Sequence, residues 1–178
     1  GLVDIVVPSC FFGQDMEEDV TEWVDLAKGS GVQICPTIEE GYIAGHTSGF
    51  RRWYFNAPVM TPLTNEMIRG LAARHHRRGV DGIYVFNFFG TAITYDYDNR
   101  EAVDDIADPI RLQHKNKLFC LTRSNEAPET FQNCLKDDHQ IPVSVTETPI
   151  DLRIDIPDDL ESARARLISV SLWLHLDQ

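Results

Sequence analysis

Three short apolar runs, at residues 2–7, 32–38 and 81–88, constrain this chain most, because a segment of helical character separates each from the next. Leu2-Val3-Asp4-Ile5-Val6-Val7 is rich in β-branched residues and closed by Pro8, the pattern of a buried strand in a parallel sheet. After it, Asp15 is expected to cap a helix and Glu18 to complete a capping box. Met16, Val20, Trp23 and Ala27 then recur at helical spacing as far as Gly29. Thr64 is expected to cap a second helix over residues 65–78, which Gly79 ends. Asp98 and Glu101 repeat the capping-box spacing ahead of Val103, Ile106 and Ala107, so a further helix follows the third run. The βαβαβ order predicts an α/β fold with parallel strands joined by right-handed crossovers.

The pattern changes after about residue 141. Ile150, Leu152, Ile154 and Ile156 alternate with Asp151, Arg153 and Asp155, and Ile168, Val170, Leu172, Leu174 and Leu176 repeat the alternation. Period-two alternation predicts half-exposed antiparallel strands. The chain thus divides into an α/β part over residues 1–125, a linker over 126–140 and an antiparallel β region over 141–178. Two strands do not make a stable domain, and a parallel sheet opening at residue 2 leaves an unpaired edge. The expectation is therefore a piece of a larger protein, with its β domain incomplete, inactive and prone to self-associate when alone.

Composition removes several function classes. Hydrophobic residues make up 43% and charged residues 25%, so a packed core is expected. The net charge of −12, from 16 Lys+Arg against 28 Asp+Glu, repels a phosphate backbone, and nucleic acid is not an expected partner. The one basic run, Arg74, His75, His76, Arg77 and Arg78, falls in the last turn of the second helix, where cations complement the macrodipole. Cys10, Cys35, Cys120 and Cys134 lack zinc-binding spacings; Cys10 and Cys35 read as small buried hydrophobes, and no disulfide is expected. The glycines at 29, 31, 79 and 82 form no phosphate-binding fingerprint, so neither metal nor cofactor is expected. No apolar run is long enough for a membrane-spanning helix.

Two stretches carry a family resemblance. They are GLVDIVVPSCFFGQDMEEDVTEWVDLAKGSGVQICPTIEEG and MTPLTNEMIRGLAARHHRRGVDGIYVFNFF. Their most specific portion is Thr-x-Glu-Met-x-Arg-Gly beginning at Thr64, then Gly79-Val80-Asp81-Gly82-Ile83-Tyr84-Val85-Phe86-Asn87-Phe88, then Lys117-Leu118-Phe119. Over about residues 1–125 the chain resembles the closing part of bacterial glycoside-hydrolase-like (β/α)₈ (TIM) barrel proteins. The resemblance implies that the three strands are the sixth, seventh and eighth of a barrel, with a β-sandwich-like domain appended. It implies a carbohydrate ligand, and an O-glycosyl hydrolase if the site is active. The alternative is a non-catalytic carbohydrate-binding or cell-surface scaffold.

In such barrels the chemistry sits at the C-terminal ends of the strands. The connection from Glu39 to Leu63 runs well past the usual loop length, and loops longer than about 12–15 residues are usually functional or disordered. Tyr42, Phe50, Trp53, Tyr54 and Phe55 supply rings, and His46, Arg51, Arg52 and Asn56 supply polar groups. Sugars present apolar faces and hydroxyl edges, which such a mixture fits; the rings equally serve to anchor the loop. Tyr42, His46, Arg52 and Trp53 are the candidate ligand contacts in this loop. In the second run Val32, Ile34, Pro36 and Ile38 alternate with Gln33, Cys35, Thr37 and Glu39, so the more polar set is expected to face the barrel axis. That brings Glu39 to the rim as the candidate catalytic carboxylate, with Glu40 in its place if the register slips by one. The resemblance adds that many barrel glycosidases carry a nucleophile or stabilising Glu after the seventh strand. A surface carboxylate accepting backbone N–H bonds is the structural alternative. Glycoside hydrolysis normally needs a second carboxyl, about 5–5.5 Å away for retention or about 6.5–9.5 Å for inversion. Asp96 and Asp98 serve poorly, since turn and capping roles claim them. Asn87, at the end of the third run, is a candidate hydrogen-bond partner for a sugar hydroxyl. Ser9 and Cys10 end the first run without an activating His motif.

Overall fold

Residues 33–38 form the middle of a parallel sheet because both of their edges are hydrogen-bonded. The amides of Gln33, Cys35 and Thr37 donate to the carbonyls of Asp4, Val6 and Pro8 at 2.9, 3.0 and 2.8 Å. On the other side the carbonyls of Ile34 and Pro36 accept from the amides of Asp81 and Tyr84, both at 3.0 Å. The computed structural model describes residues 1–9, 15–39, 63–86, 100–121, 140–141, 143–144, 146–161 and 169–172. In chain order the elements are β1 (Ile5–Val6), α1 (Thr21–Ala27), β2 (Gln33–Ile34), β3 (Thr37–Glu39), α2 (Asn65–Arg77), β4 (Tyr84–Phe86), α3 (Arg100–Ile106) and α4 (Pro109–Leu112).

β1 pairs parallel with β2 (Ile5 opposite Gln33), and β3 pairs parallel with β4 (Thr37 opposite Tyr84, Glu39 opposite Phe86). Pro36 separates β2 from β3, since it has no amide to give the ladder. The ladder to the third run starts at Tyr84 rather than Asp81 for a local reason. Gly82 and Ile83 lie between Asp81 and Tyr84, while only Cys35 lies between their partners Ile34 and Pro36, which is the count of a bulge. A Cβ on Gly82 would stand 3.2 Å from Cys35 Sγ, so the bulge also favours the smallest residue. The Asp81 carboxylate accepts the Ile34 amide at 2.8 Å and pins this register.

The two sides of the sheet differ. Ile38 is completely buried, and its register partner Val85 packs against the same core as Met67, Ile68 and Leu71 of α2, Ala102 and Ile106 of α3, and Leu112 of α4. Each large aliphatic side chain taken out of water there contributes roughly 1.5–3 kcal/mol. On the opposite set Ile5, Tyr84 and Phe86 are about half exposed, at 52%, 47% and 42%.

α2 follows the sequence rules closely. Thr64 is extended, its Oγ1 accepts the Met67 amide at 3.3 Å, and Gly79 beyond the end adopts a left-handed φ of 87°. Gly70 allows a close approach: a Cβ there would lie 2.4 Å from the Leu118 carbonyl oxygen, and the Leu118 amide bonds the Glu66 carbonyl at 2.9 Å. α1 departs from expectation. Asp15 does not cap it; its Oδ1 accepts the Glu17 amide at 2.8 Å and its carbonyl accepts from Glu18, forming a separate turn. Helix starts only at Thr21, and Met16 and Val20 are buried in the lead-in while Trp23 is 47% exposed. α4, which periodicity does not announce, begins at an Asp-Pro step: Asp108 Oδ1 accepts the Ile110 amide at 2.8 Å and Pro109 opens the first turn.

Beyond residue 140 the described residues form no helix or strand element. The extended segment around Arg153 is held by side chains instead. The Gln140 amide group donates from Nε2 to the Arg153 carbonyl at 2.7 Å and accepts the Arg153 amide at Oε1 at 2.6 Å, imitating a strand neighbour. Arg74 donates to the Asp155 carbonyl at 2.9 Å, and Lys117 pairs with Asp158 at 2.9 Å. Ile150, Leu152 and Ile156 stay exposed. Of the second alternating segment only residues 169–172 are described, and no ladder joins the two among the described residues.

Candidate functional site

The rim at the C-terminal end of the sheet is built by Pro8, Glu39 and Phe86. Pro8 accepts from Thr37, and Glu39 stands opposite Phe86 at the end of β3. Hydrogen bonding alternates without interruption from Gln33 to Thr37, so by register position 39 belongs with 33, 35 and 37 and not with the buried Ile34, Pro36 and Ile38. Only the backbone of Glu39 is described. Glu40, Tyr42, His46, Arg52, Trp53 and Asn87 lie outside the described residues, as do Cys10, Asp96, Asp98 and Cys134. The structure thus positions the strand ends that would carry the candidate residues.

Two groups near this sheet have chemistry of their own. Cys35 is a free thiol whose pKa is raised by burial, with the Asp81 carboxylate adding to the effect, so at neutral pH it is a thiol and a poor nucleophile. Cys120 is also free, and burial raises its pKa against the opposing pull of Arg74. Among the described residues no group of three or more His, Cys, Asp or Glu side chains is placed to hold a metal ion.

The densest polar arrangement is on α2, and the macrodipole reading of its basic run misses it. Arg69, 4% exposed, donates to Asp105 at 2.8 Å and to Glu101 at 2.6 Å, with Glu66 at 3.8 Å. Burial pushes the Asp105 carboxyl up, but hydrogen bonds from Lys115 and Arg69 outweigh it and hold the carboxyl below its ordinary range. Arg74, 2% exposed, donates to the carbonyls of Met16, Cys120 (3.2 Å) and Asp155 (2.9 Å), and its guanidinium stands 5.5 Å from the Phe119 ring centre. His76 Nε2 donates to the Ile106 carbonyl at 2.7 Å, and Arg78 donates to the Glu18 carbonyl. These side chains join the lead-in to α1, α3, residues 119–121 and the segment around Asp155 to one helix. They serve as a structural hub. The signal was present in the spacing: positions 67, 71, 74 and 78 share one helical stripe, so Arg74 and Arg78 fall on the face that Met67 and Leu71 bury.

No family model and no curated protein matches this chain. Among the described residues no helix is long and apolar enough to cross a membrane.

Proposed function

We propose that the chain forms the closing βα units of a (β/α)₈ barrel and acts on or binds polysaccharide or oligosaccharide at the rim where Glu39 ends the central strand. The position of residue 39 carries this reading: a glutamate whose backbone ends a parallel strand at its C-terminal end, followed in sequence by a long loop rich in rings and hydrogen-bond groups. The apolar, half-exposed Ile5, Tyr84 and Phe86 support a further layer against that side of the sheet, as parallel sheets require. In a hydrolytic site Glu39, with Glu40 as its rival, attacks or stabilises the anomeric centre while a carboxylic acid contributed elsewhere protonates the departing oxygen. Tyr42 and Trp53 would stack on sugar faces, and His46, Arg52 and Asn87 would bond hydroxyls.

One observation favours a binding scaffold. The residues at the flanking strand ends, Pro8 and Ser9 on one side and Phe86 and Asn87 on the other, include no carboxylate to work with Glu39. Hydrolysis of aryl glycosides and polysaccharides, measured beside calorimetric binding of oligosaccharides, separates the two readings. Cleavage that falls roughly 10²–10⁴-fold in Glu39→Gln while binding survives supports the enzyme. Binding without cleavage, weakened by Trp53→Ala, supports the scaffold. Neither binding nor cleavage by the full-length protein that completes the barrel sinks both.

A further inference from the structure

Arg153 has both of its backbone polar groups on one side of the chain: the Gln140 side chain accepts from its amide at 2.6 Å and donates to its carbonyl at 2.7 Å. One carboxamide meets the N–H and C=O of a single residue in this way where the backbone is extended, as a strand neighbour would. Gln140 is itself held by Glu17 at 2.9 Å, and two residues further on Arg74 donates to the Asp155 carbonyl at 2.9 Å. The backbones of Arg153 and Asp155 therefore face inward. By the alternation of an extended chain, the amides and carbonyls of Leu152, Ile154 and Ile156 face the opposite way, and none has a partner among the described residues. Such an edge is a template for another strand. The side chains along it are apolar and accessible, with Leu152 40% and Ile156 41% exposed.

We propose that residues 152–156 are the edge through which two copies of the chain join, as an antiparallel pair about a two-fold axis at Ile154. In such a contact the same patch serves both copies. Centred on Ile154, the outward-facing residues meet as Ile154 with Ile154 and Leu152 with Ile156, which are the hydrogen-bonded positions of an antiparallel ladder. Between them Arg153 of each copy stands opposite Asp155 of the other, giving two cross-strand pairs of opposite charge. Asp155 has room for this second cation, since 56% of its side chain stays exposed while it faces Arg78 at 3.7 Å. Charge rejects the register about Arg153, which would set Arg153 against itself and Asp151 against Asp155. A register about Leu152 would pair Arg153 with Asp151, but it extends beyond the stretch that Gln140 and Arg74 hold, whereas Ile154 lies between those two anchors. Pro157 does not interrupt the ladder, because its missing amide falls on the inward edge. The net charge of −12 on each copy opposes association at long range. At physiological salt, exposed charges more than about 8 Å apart are largely screened, and the contact pairs persist.

Sedimentation equilibrium of the full chain at physiological salt should show a weak dimer exchanging with monomer. Arg153→Glu and Asp155→Arg should each weaken it roughly tenfold, because each turns two attractive pairs into repulsive ones. Mixing the two variants should restore the wild-type affinity: in the mixed dimer the two substituted positions face each other, and so do the native Asp155 and Arg153. Clustering through the exposed apolar residues of β1 and α1 would ignore both changes and gain nothing from mixing. Variants that melt like the wild type yet show no loss, or no rescue on mixing, would overturn the proposal. So would a chain still monomeric at about 1 mM, which would leave this edge to another segment of the same chain. Should Asp155→Arg fail to fold beside Arg78, cysteine cross-linking decides. On the proposed axis the two Cα atoms of residue 154 lie about 5.5 Å apart, within the span of a disulfide. Ile154→Cys should then oxidise to a covalent dimer several-fold faster than Leu152→Cys, with the wild-type chain giving the background from its native cysteines. Equal rates, or faster cross-linking at 152, would overturn the proposal.

Discussion

α1 and α2 follow successive parallel runs of one sheet, yet they are stabilised in opposite ways. α2 runs for 13 residues from a side-chain cap and has eight buried residues, three of them the charged or polar Arg69, Arg74 and His75. α1 runs for 7 residues, has no side-chain cap, buries nothing, and leaves Trp23 47% and Leu26 79% exposed. Propensity does not explain the difference, since both sequences suit a helix. Neighbours do. α2 is enclosed by Ile38 of the sheet, by α3 and α4, and by the segment at Leu118, whereas α1 stands beside β2 and touches the end of α2 near Gly79. The apolar residues expected along α1 are divided, with Met16 and Val20 buried ahead of the helix and Trp23 left outside. Helical stability in a βα unit thus depends chiefly on how many layers close around the helix.

The largest effect should come from removing the hub on the enclosed helix. Arg74→Met keeps the length of the side chain but leaves the carbonyls of Met16, Cys120 and Asp155 without their shared donor. Breaking a buried charged hydrogen-bond set of this kind should cost about 4 kcal/mol, read as a shift in the urea midpoint with m unchanged. A loss below about 1 kcal/mol would mean that water replaces the guanidinium and that the contrast between the helices rests on apolar packing alone.

Gly70→Ala sharpens the comparison at the next level. Alanine favours helix by about 1 kcal/mol over glycine, so on an exposed helix the change would stabilise. Here the added Cβ meets the Leu118 carbonyl oxygen at 2.4 Å, a backbone atom that can yield only by giving up the Leu118 to Glu66 bond. A net loss of about 2 kcal/mol is expected in thermal or chemical unfolding. The same glycine belongs to the Thr-x-Glu-Met-x-Arg-Gly pattern, and the structure gives the pattern a physical meaning: Thr64 caps, Met67 fills the core, Arg69 pairs with Asp105, and Gly70 admits Leu118.

Local rules made parts of this fold readable and hid others. The cap at Thr64, the stop at Gly79 and the alternation of Ile34, Pro36 and Ile38 with Gln33, Cys35 and Thr37 depend on neighbours a few residues apart, and each appears as the spacing implies. The turn at Asp15 was not legible, because an Asp three residues before a Glu suits an isolated turn as well as a capping box, and what decides is the docking of Met16 on Arg74. The bonds from Gln140 to Arg153 and from Arg74 to Asp155 join residues 13 and 81 positions apart, beyond any local pattern. At the candidate site, alternation put Glu39 at the end of a strand, which is a backbone property. The geometry of a second carboxyl and of the rings in the following loop depends on tertiary contacts that spacing does not encode.

Leu26→Ser probes the other pole and should do least. With 79% of its surface already in water, little apolar area is returned to solvent by the change, and at roughly 25 cal/mol per Å² the loss should stay within about 0.5 kcal/mol. Serine's weaker helix propensity contributes part of that. The measurement has more reach than its size implies, because Trp23 and Leu26 on α1, Ile5 on β1 and Val3 just before it are all exposed apolar residues of the same βα unit. A loss above about 1.5 kcal/mol would exceed what an exposed leucine can contribute, and would show that another surface covers α1 in solution. The two helices would then differ in what encloses them rather than in whether they are enclosed. A concentration dependence of the unfolding midpoint, present in the wild type and absent in Leu26→Ser, would identify the covering surface as a second copy of the chain.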